Sequence, residues 1–205
     1  MNDSQDPALI KRHRFYGVLI VLMIVAPMVI AYIMFQTGWG VSGGTTNKGQ
    51  LLTPPLAIKS LPLVDGSTYL EDLVNDQSIG KKWRILVPVK ADCNETCRRH
   101  LYLTRQVHIR LAEKAYRVER IFLALDTLPE SLKQELNTEH PNVRWAKSTA
   151  SHFAQWLVPA VLENSDQYFY LVDQTGFMMM RYDRHHSGQD LLDDVKKLLK
   201  FTYDK

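Results

Sequence analysis

Trp83-Arg84-Ile85-Leu86-Val87-Pro88-Val89-Lys90-Ala91-Asp92-Cys93-Asn94-Glu95-Thr96-Cys97 is the stretch whose reading decides the fold. Around its apolar run Ile85 to Val89, the segment Trp83 to Val89 reads as a buried strand. The chain's only two cysteines follow at once. Beyond them the apolar period changes: Leu103, Val107 and Leu111 recur every four residues, which predicts a helix from Cys93 to about Lys114 with one stripe laid on a sheet. Two thiols four apart at a strand-to-helix junction read as a working pair. Helical positions i and i+4 share a face, and the backbone N–H groups of a helix start favour a thiolate over a thiol. Such a pair either exchanges electrons or holds a soft metal.

Downstream, the two periodicities alternate. Val118 to Leu125 reads as a second buried strand. Thr127-Leu128-Pro129-Glu130 has the form of a capping box with proline in the first turn, opening a helix through Leu136. Val143 to Ala146 is a short strand, and Ser151 to Leu157 a helix that buries Phe153, Trp156 and Leu157. Tyr168 to Asp173 and Phe177 to Tyr182 form a hairpin across Gln174-Thr175-Gly176, where Gly supplies a positive φ. Gln189 to Leu199 places Asp190, Asp193 and Asp194 early and Lys196, Lys197 and Lys200 late, the order a helix dipole prefers.

Upstream, Phe15 to Phe35 is uncharged and largely apolar. A bilayer core of about 30 Å needs about 20 helical residues, so this run is long enough to span. Secretory signals carry about 7 to 15 apolar residues and end on small ones, whereas Tyr32, Met34 and Phe35 close this run. We therefore read residues 15–35 as an uncleaved transmembrane helix that tolerates Pro27. Lys11, Arg12, His13 and Arg14 keep residues 1–14 cytoplasmic and send the remainder across the membrane, in a bacterium to the periplasm, where disulfides persist. Residues 36–55, rich in Gly, Thr, Asn and Pro, read as a non-helical tether. Residues 56–205 then form one domain. A net charge of +3 spread through the chain gives no nucleic-acid signature, and there is no internal repeat, zinc-type cysteine array or phosphate-cradling glycine loop.

Strand, helix, strand, helix, two strands and helix, with a dithiol at the first strand-to-helix turn, is the order of a thioredoxin-like α/β fold: a central sheet flanked by helices, here preceded by a transmembrane helix. Three residues between the cysteines, the anchor, and Gly80-Lys81-Lys82 leading into the cysteine strand resemble the Sco/SenC family of thioredoxin-fold copper chaperones over roughly Leu61 to Leu199. Tyr170-Leu171-Val172-Asp173-Gln174-Thr175-Gly176 matches the form of that family's hairpin strand and turn. The resemblance implies an inner-membrane protein of cytochrome c oxidase biogenesis, with oxidase subunits or copper-assembly factors as partners. It also implies a copper site of two cysteines and a histidine. The histidine's place falls near Ser165, and no histidine occurs between His152 and His185.

Three readings follow. In the first, Cys93 is the exposed nucleophilic thiolate of a thiol–disulfide oxidoreductase and Cys97 resolves the mixed disulfide; no proline adjoins the Tyr168 strand where thioredoxin-like reductases keep one. In the second, the two thiolates bind Cu(I) with a third ligand from His100, His152, Met178 or Met180. In the third, the disulfide is static and the domain is a docking subunit. Each side chain also has a plainer reading. Arg98-Arg99-His100 is a polar helix flank, with Arg98 or Arg99 a candidate for lowering a thiol pKa. Met178 and Met180 share a strand face suited to core packing. His185-His186 is an exposed loop, His108 and His140 are solvated, and Asp126 is a turn or cap.

Overall fold

The computed structural model describes residues 7–37, 46–64, 82–158 and 167–201. The chain divides into two compact units, Met1–Thr46 and Asn47–Lys205. Among the described residues, the first holds a single helix, α1 (Pro7–Thr37), with Pro27 inside it. Its Arg12–Thr37 segment is long and apolar enough to cross a membrane. The helix runs past the expected limit at Phe35, and Thr37 Oγ1 donates to the Ile33 carbonyl at 2.7 Å to close its last turn.

The second unit is a six-stranded mixed sheet in the order β1-β6-β5-β2-β3-β4. The strands are β1 (Gln50–Ala57), β2 (Trp83–Val89), β3 (Val118–Ala124), β4 (Arg144–Lys147), β5 (Phe169–Val172) and β6 (Phe177–Tyr182). The helices are α2 (Glu95–Arg110), α3 (Glu130–Glu139), α4 (Ala150–Leu157) and α5 (Gly188–Phe201). β2 pairs in parallel with β3 and antiparallel with β5, so it lies inside the sheet, and all seven of its residues are buried. This is why its Ile85–Val89 part reads as a continuous apolar run rather than an alternation. Ile85, Val87 and Val89 pack with Leu101, Val107, Leu132, Leu191 and Val195 of α2, α3 and α5 on one face. Leu86 packs with Leu52, Leu56, Phe153 and Leu157 on the other.

Because β2, β3, β4 and β6 run one way and β5 and β1 the other, one end of the sheet gathers the exits of β2, β3 and β6. The turn carrying Cys93 leaves β2 there. The loop after Tyr182 leaves β6 at the same end.

Four expectations need correction. The tether ends early: Gln50–Ala57 is an edge strand paired with β6, and its register shifts between Leu51 and Leu56, where Pro54 and Pro55 have no N–H to donate. Thr127 does not cap α3; Pro129 stands at the N-cap with no side-chain hydrogen bond, and the helix runs on to Glu139. Here the preset φ of proline and the buried Leu128 define the turn. The predicted 93–114 helix begins instead at Glu95 and ends at Arg110. Leu111 is buried, Ala112 turns to φ 48°, and a 3-10 segment, Ala112–Arg117, leads into β3. Finally, Met178 and Met180 do not share a face. Leu171 pairs with Met180 while Val172 pairs with Met178, so a bulge at Met179 sends Met178 to one core and Met180 to the other.

Candidate functional site

The site is built at the exit of β2. Val89 ends the strand, the Cys93 amide donates to the Lys90 carbonyl at 3.1 Å, and Asn94 takes the N-cap of α2. The Asn94 side-chain oxygen accepts the Cys97 amide at 3.1 Å. Cys97 is thus the third residue of the helix, and Cys93 lies one residue ahead of the cap. The two are joined in a disulfide with their Cα atoms 5.2 Å apart, and the chain has no free cysteine.

Both cysteines are buried, Cys93 at 2% and Cys97 at 7% exposure. The expectation that Cys93 is the exposed thiol is therefore wrong. Its sulfur is covered because the turn folds onto the same core that holds Val89 and Ala124. The neighbours Ala91, Asp92 and Asn94 are exposed, so Cys93 lies in a short surface turn, whereas Cys97 is held in the helix. Asp126, after β3, supports the turn: its Oδ2 accepts the Ala91 amide at 3.5 Å, which is the cap role expected of it. On its other side Asp126 helps wall a cleft of about 760 Å³ with Leu125, Leu128, Trp145 and Ser148.

The remaining candidates separate. Arg98 is engaged by Glu135 of α3 in a two-pronged ion pair. His152 is exposed on α4, a helix whose Phe153 and Leu157 fill the opposite core. Met178 and Met180 are core residues. His186 is a loop staple, its Nδ1 against Asp183 Oδ1 at 2.8 Å and its Nε2 against the Lys48 carbonyl at 3.1 Å, while His185 is exposed. His108 and His140 are not solvated: His108 Nε2 bonds the Val118 carbonyl at 2.9 Å, and His140 is buried edge-on to Phe122, ring centres 5.4 Å apart. Ser165 lies outside the described residues.

His100 stands apart. It lies on α2 one turn beyond Cys97, 1% exposed, with its ring edge-on to Phe169 at 5.0 Å. Phe169 in turn stacks on Tyr182 at 5.0 Å. The His100 Nε2 is buried without a hydrogen-bond partner. Burial, with the Arg99 charge adding and Asp183 opposing, holds its pKa down to about 4 and so favours the neutral ring. Among the described residues no group of three or more His, Cys, Asp or Glu side chains is gathered as a metal site. The start of α2 carries the dithiol, and His100 follows Cys97 by three residues on the same helix.

A disulfide bridging the N-cap of the helix that follows an interior strand, on a sheet of this order, defines a thioredoxin-like dithiol protein of Sco-like fold. The chain belongs to the family described as the transmembrane-like, thioredoxin-like C-terminal domain, whose model matches residues 83–202. No curated protein sequence matches it. Among solved structures it is similar to yeast Sco1, at 15% identity over 63% of this chain and 87% of that one, with a TM-score of 0.50. Copper-bound ScoI of Arabidopsis thaliana aligns at 19% identity, 62% and 89% coverage and a TM-score of 0.48. A thiol:disulfide interchange protein from Bacteroides sp. aligns at 15% identity, 78% and 93% coverage and a TM-score of 0.46.

Proposed function

We propose that this chain is an inner-membrane protein, anchored by residues 15–35 with its domain in the periplasm, that serves cytochrome c oxidase biogenesis by thiol–disulfide exchange with the copper-site cysteines of an oxidase subunit or assembly factor. The observation that carries the exchange is the Cys93–Cys97 disulfide at the helix N-terminus. The oxidase context comes from the Sco/SenC resemblance, and the orientation from the basic residues 11–14.

In the reduced state the Cys93 thiolate attacks a client disulfide, and one client sulfur leaves as a thiolate. The Cys97 thiolate then attacks the Cys93 sulfur and releases the second client sulfur. Two electrons and two protons pass to the client, leaving the intramolecular disulfide; a dithiol donor must reload it. The helix N-terminus favours the Cys97 thiolate as attacker and, in reverse, as leaving group. Cys93 meets the client because its turn opens without unwinding α2. Replacing the cysteines singly tests this: Cys97→Ser should trap a mixed disulfide and Cys93→Ser should abolish exchange. Equal oxidase assembly from both variants and wild type overturns the reading.

One observation favours a second reading, in which Cu(I) is the cargo. Two thiolates are a soft pair suited to Cu(I), and the unpartnered His100 Nε2 is the imidazole candidate on the same helix. Competitive Cu(I) titration of the reduced protein decides it. Binding that is lost with both cysteines and weakened by His100→Leu supports carriage; no competition leaves exchange alone.

A further inference from the structure

The outer face of α2 has no part in the chemistry above, yet it exposes large side chains. Tyr102, Ile109 and Tyr116 stand seven residues apart and are 62%, 58% and 67% exposed. A seven-residue step is close to two helical turns, so Tyr102 and Ile109 share one stripe along α2, and Tyr116 follows beyond the turn at Ala112, in the 3-10 segment. Charge flanks that stripe. Between Glu95 and Arg117 the bases are Arg98, Arg99, Arg105, Arg110, Lys114 and Arg117, and the acids only Glu95 and Glu113. This excess of four makes the segment one of the basic stretches of the chain, as Lys81, Lys82, Arg84 and Lys90 make another. Three of these bases are anchored: Arg98 on Glu135, Arg110 on Gln189 and Arg117 on the Leu199 carbonyl. Beyond Leu199, Phe201 is 73% exposed.

We propose that this face rests on an anionic phospholipid surface. The apolar face of α2 is packed in the core, so contact with lipid would be made by exposed tyrosine and isoleucine beside arginine and lysine, at the depth of the headgroups. Tyrosine is favoured at that depth, and clustered bases are drawn to acidic lipid. An acidic protein partner also answers the charge. Lipid is favoured because the same chain carries a membrane-length helix, which keeps a bilayer within reach, and because exposed tyrosines need no complementary pocket at an interface. The proposal rests on the membrane-anchor reading. Its consequence is that the dithiol, at the start of the same helix, is held close to the membrane surface where a membrane-bound client presents its cysteines.

The test uses the full chain in nanodiscs. With the native cysteines paired, Ile109→Cys supplies one labelling site for a fluorophore, and Ser131→Cys on α3 is the comparison. Brominated phosphatidylcholine discs are used with or without phosphatidylglycerol. The expected result is about twofold stronger quenching at 109 in the anionic discs, lost at high salt and lost with Arg99→Glu plus Lys114→Glu. Equal quenching at 109 and 131 overturns the proposal, as does quenching indifferent to lipid charge. Protection at 109 that requires an added acidic protein overturns it in favour of that partner. Co-elution of the chain with the disc reports the anchor separately. If the chain does not co-elute, the same labelled protein is mixed with free anionic vesicles: quenching at 109 then upholds the face, and its absence overturns it.

Discussion

The side-chain oxygen of Asn94 accepts the amide of Cys97 at 3.1 Å, so a residue lying between the two sulfurs also holds the start of the helix that carries one of them. Loss of an N-cap oxygen costs about 1 kcal/mol. We expect Asn94→Ala to lower unfolding free energy by about that amount in urea titration and, by loosening the first turn, to raise the rate at which a small thiol reduces the disulfide. Asn94→Asp, which keeps an oxygen at the cap, should restore stability.

Asp194 governs stability at the same end of the sheet. Buried at 1% exposure, its carboxylate accepts the Lys48 and Gly49 amides and the Tyr182 hydroxyl, at 2.8 to 3.0 Å. It ties the residues leading into β1 to α5 and β6. Asp194→Leu leaves three donors unanswered and should cost about 3 kcal/mol or more. Gly49→Ala tests the same junction sterically, because a Cβ there would meet the Tyr182 ring at 2.5 Å; about 1 to 3 kcal/mol is expected.

Stability should fall as the solution is acidified below about pH 6.5, before ordinary carboxyls titrate. His100 and His140 are each held down to about 4, first by burial, with Arg99 adding at His100 and Arg120 at His140. In the unfolded chain they bind protons near 6.5. Between these values the unfolded state holds more protons, so unfolding free energy rises with pH. The stabilisation is present above 6.5 and is lost as pH falls through 4. Urea midpoints at pH 7, 6 and 5 should show this slope, and His100→Gln with His140→Gln should flatten it. Asp190, whose carboxyl the Ser187 hydroxyl and amide hold below the usual range, adds its own loss only at lower pH.

Much of this was legible because the decisive signals are local. The Trp83–Val89 run, the Leu103–Val107–Leu111 stripe and the Gln174–Gly176 turn each appear in the structure as read, with Gly176 at φ 88°. What failed was set by partners distant in sequence. Gln50–Ala57 contains two prolines and resembles a spacer until β6 supplies its pairing. The methionine faces depended on a bulge that an alternating pattern cannot register. The buried state of Cys93, His100 and His140 arises from packing across the sheet, and the Arg84–Glu119–Arg144 cluster, with Glu119 at 2.9 Å from Arg144, interrupts two strands that otherwise read as apolar. The dithiol was visible from the start; its covering was not.

The central claim is that Cys93 and Cys97 cycle. The direct measurement is the reduction potential of the full chain in detergent, equilibrated across thiol–disulfide buffers, with thiols counted by alkylation and mass. The account predicts complete, reversible interconversion at a potential between those of the reducing and oxidising thioredoxin-like exchangers, about −270 to −120 mV. A pair that stays oxidised below about −300 mV is a structural bridge, and that result would contradict the account.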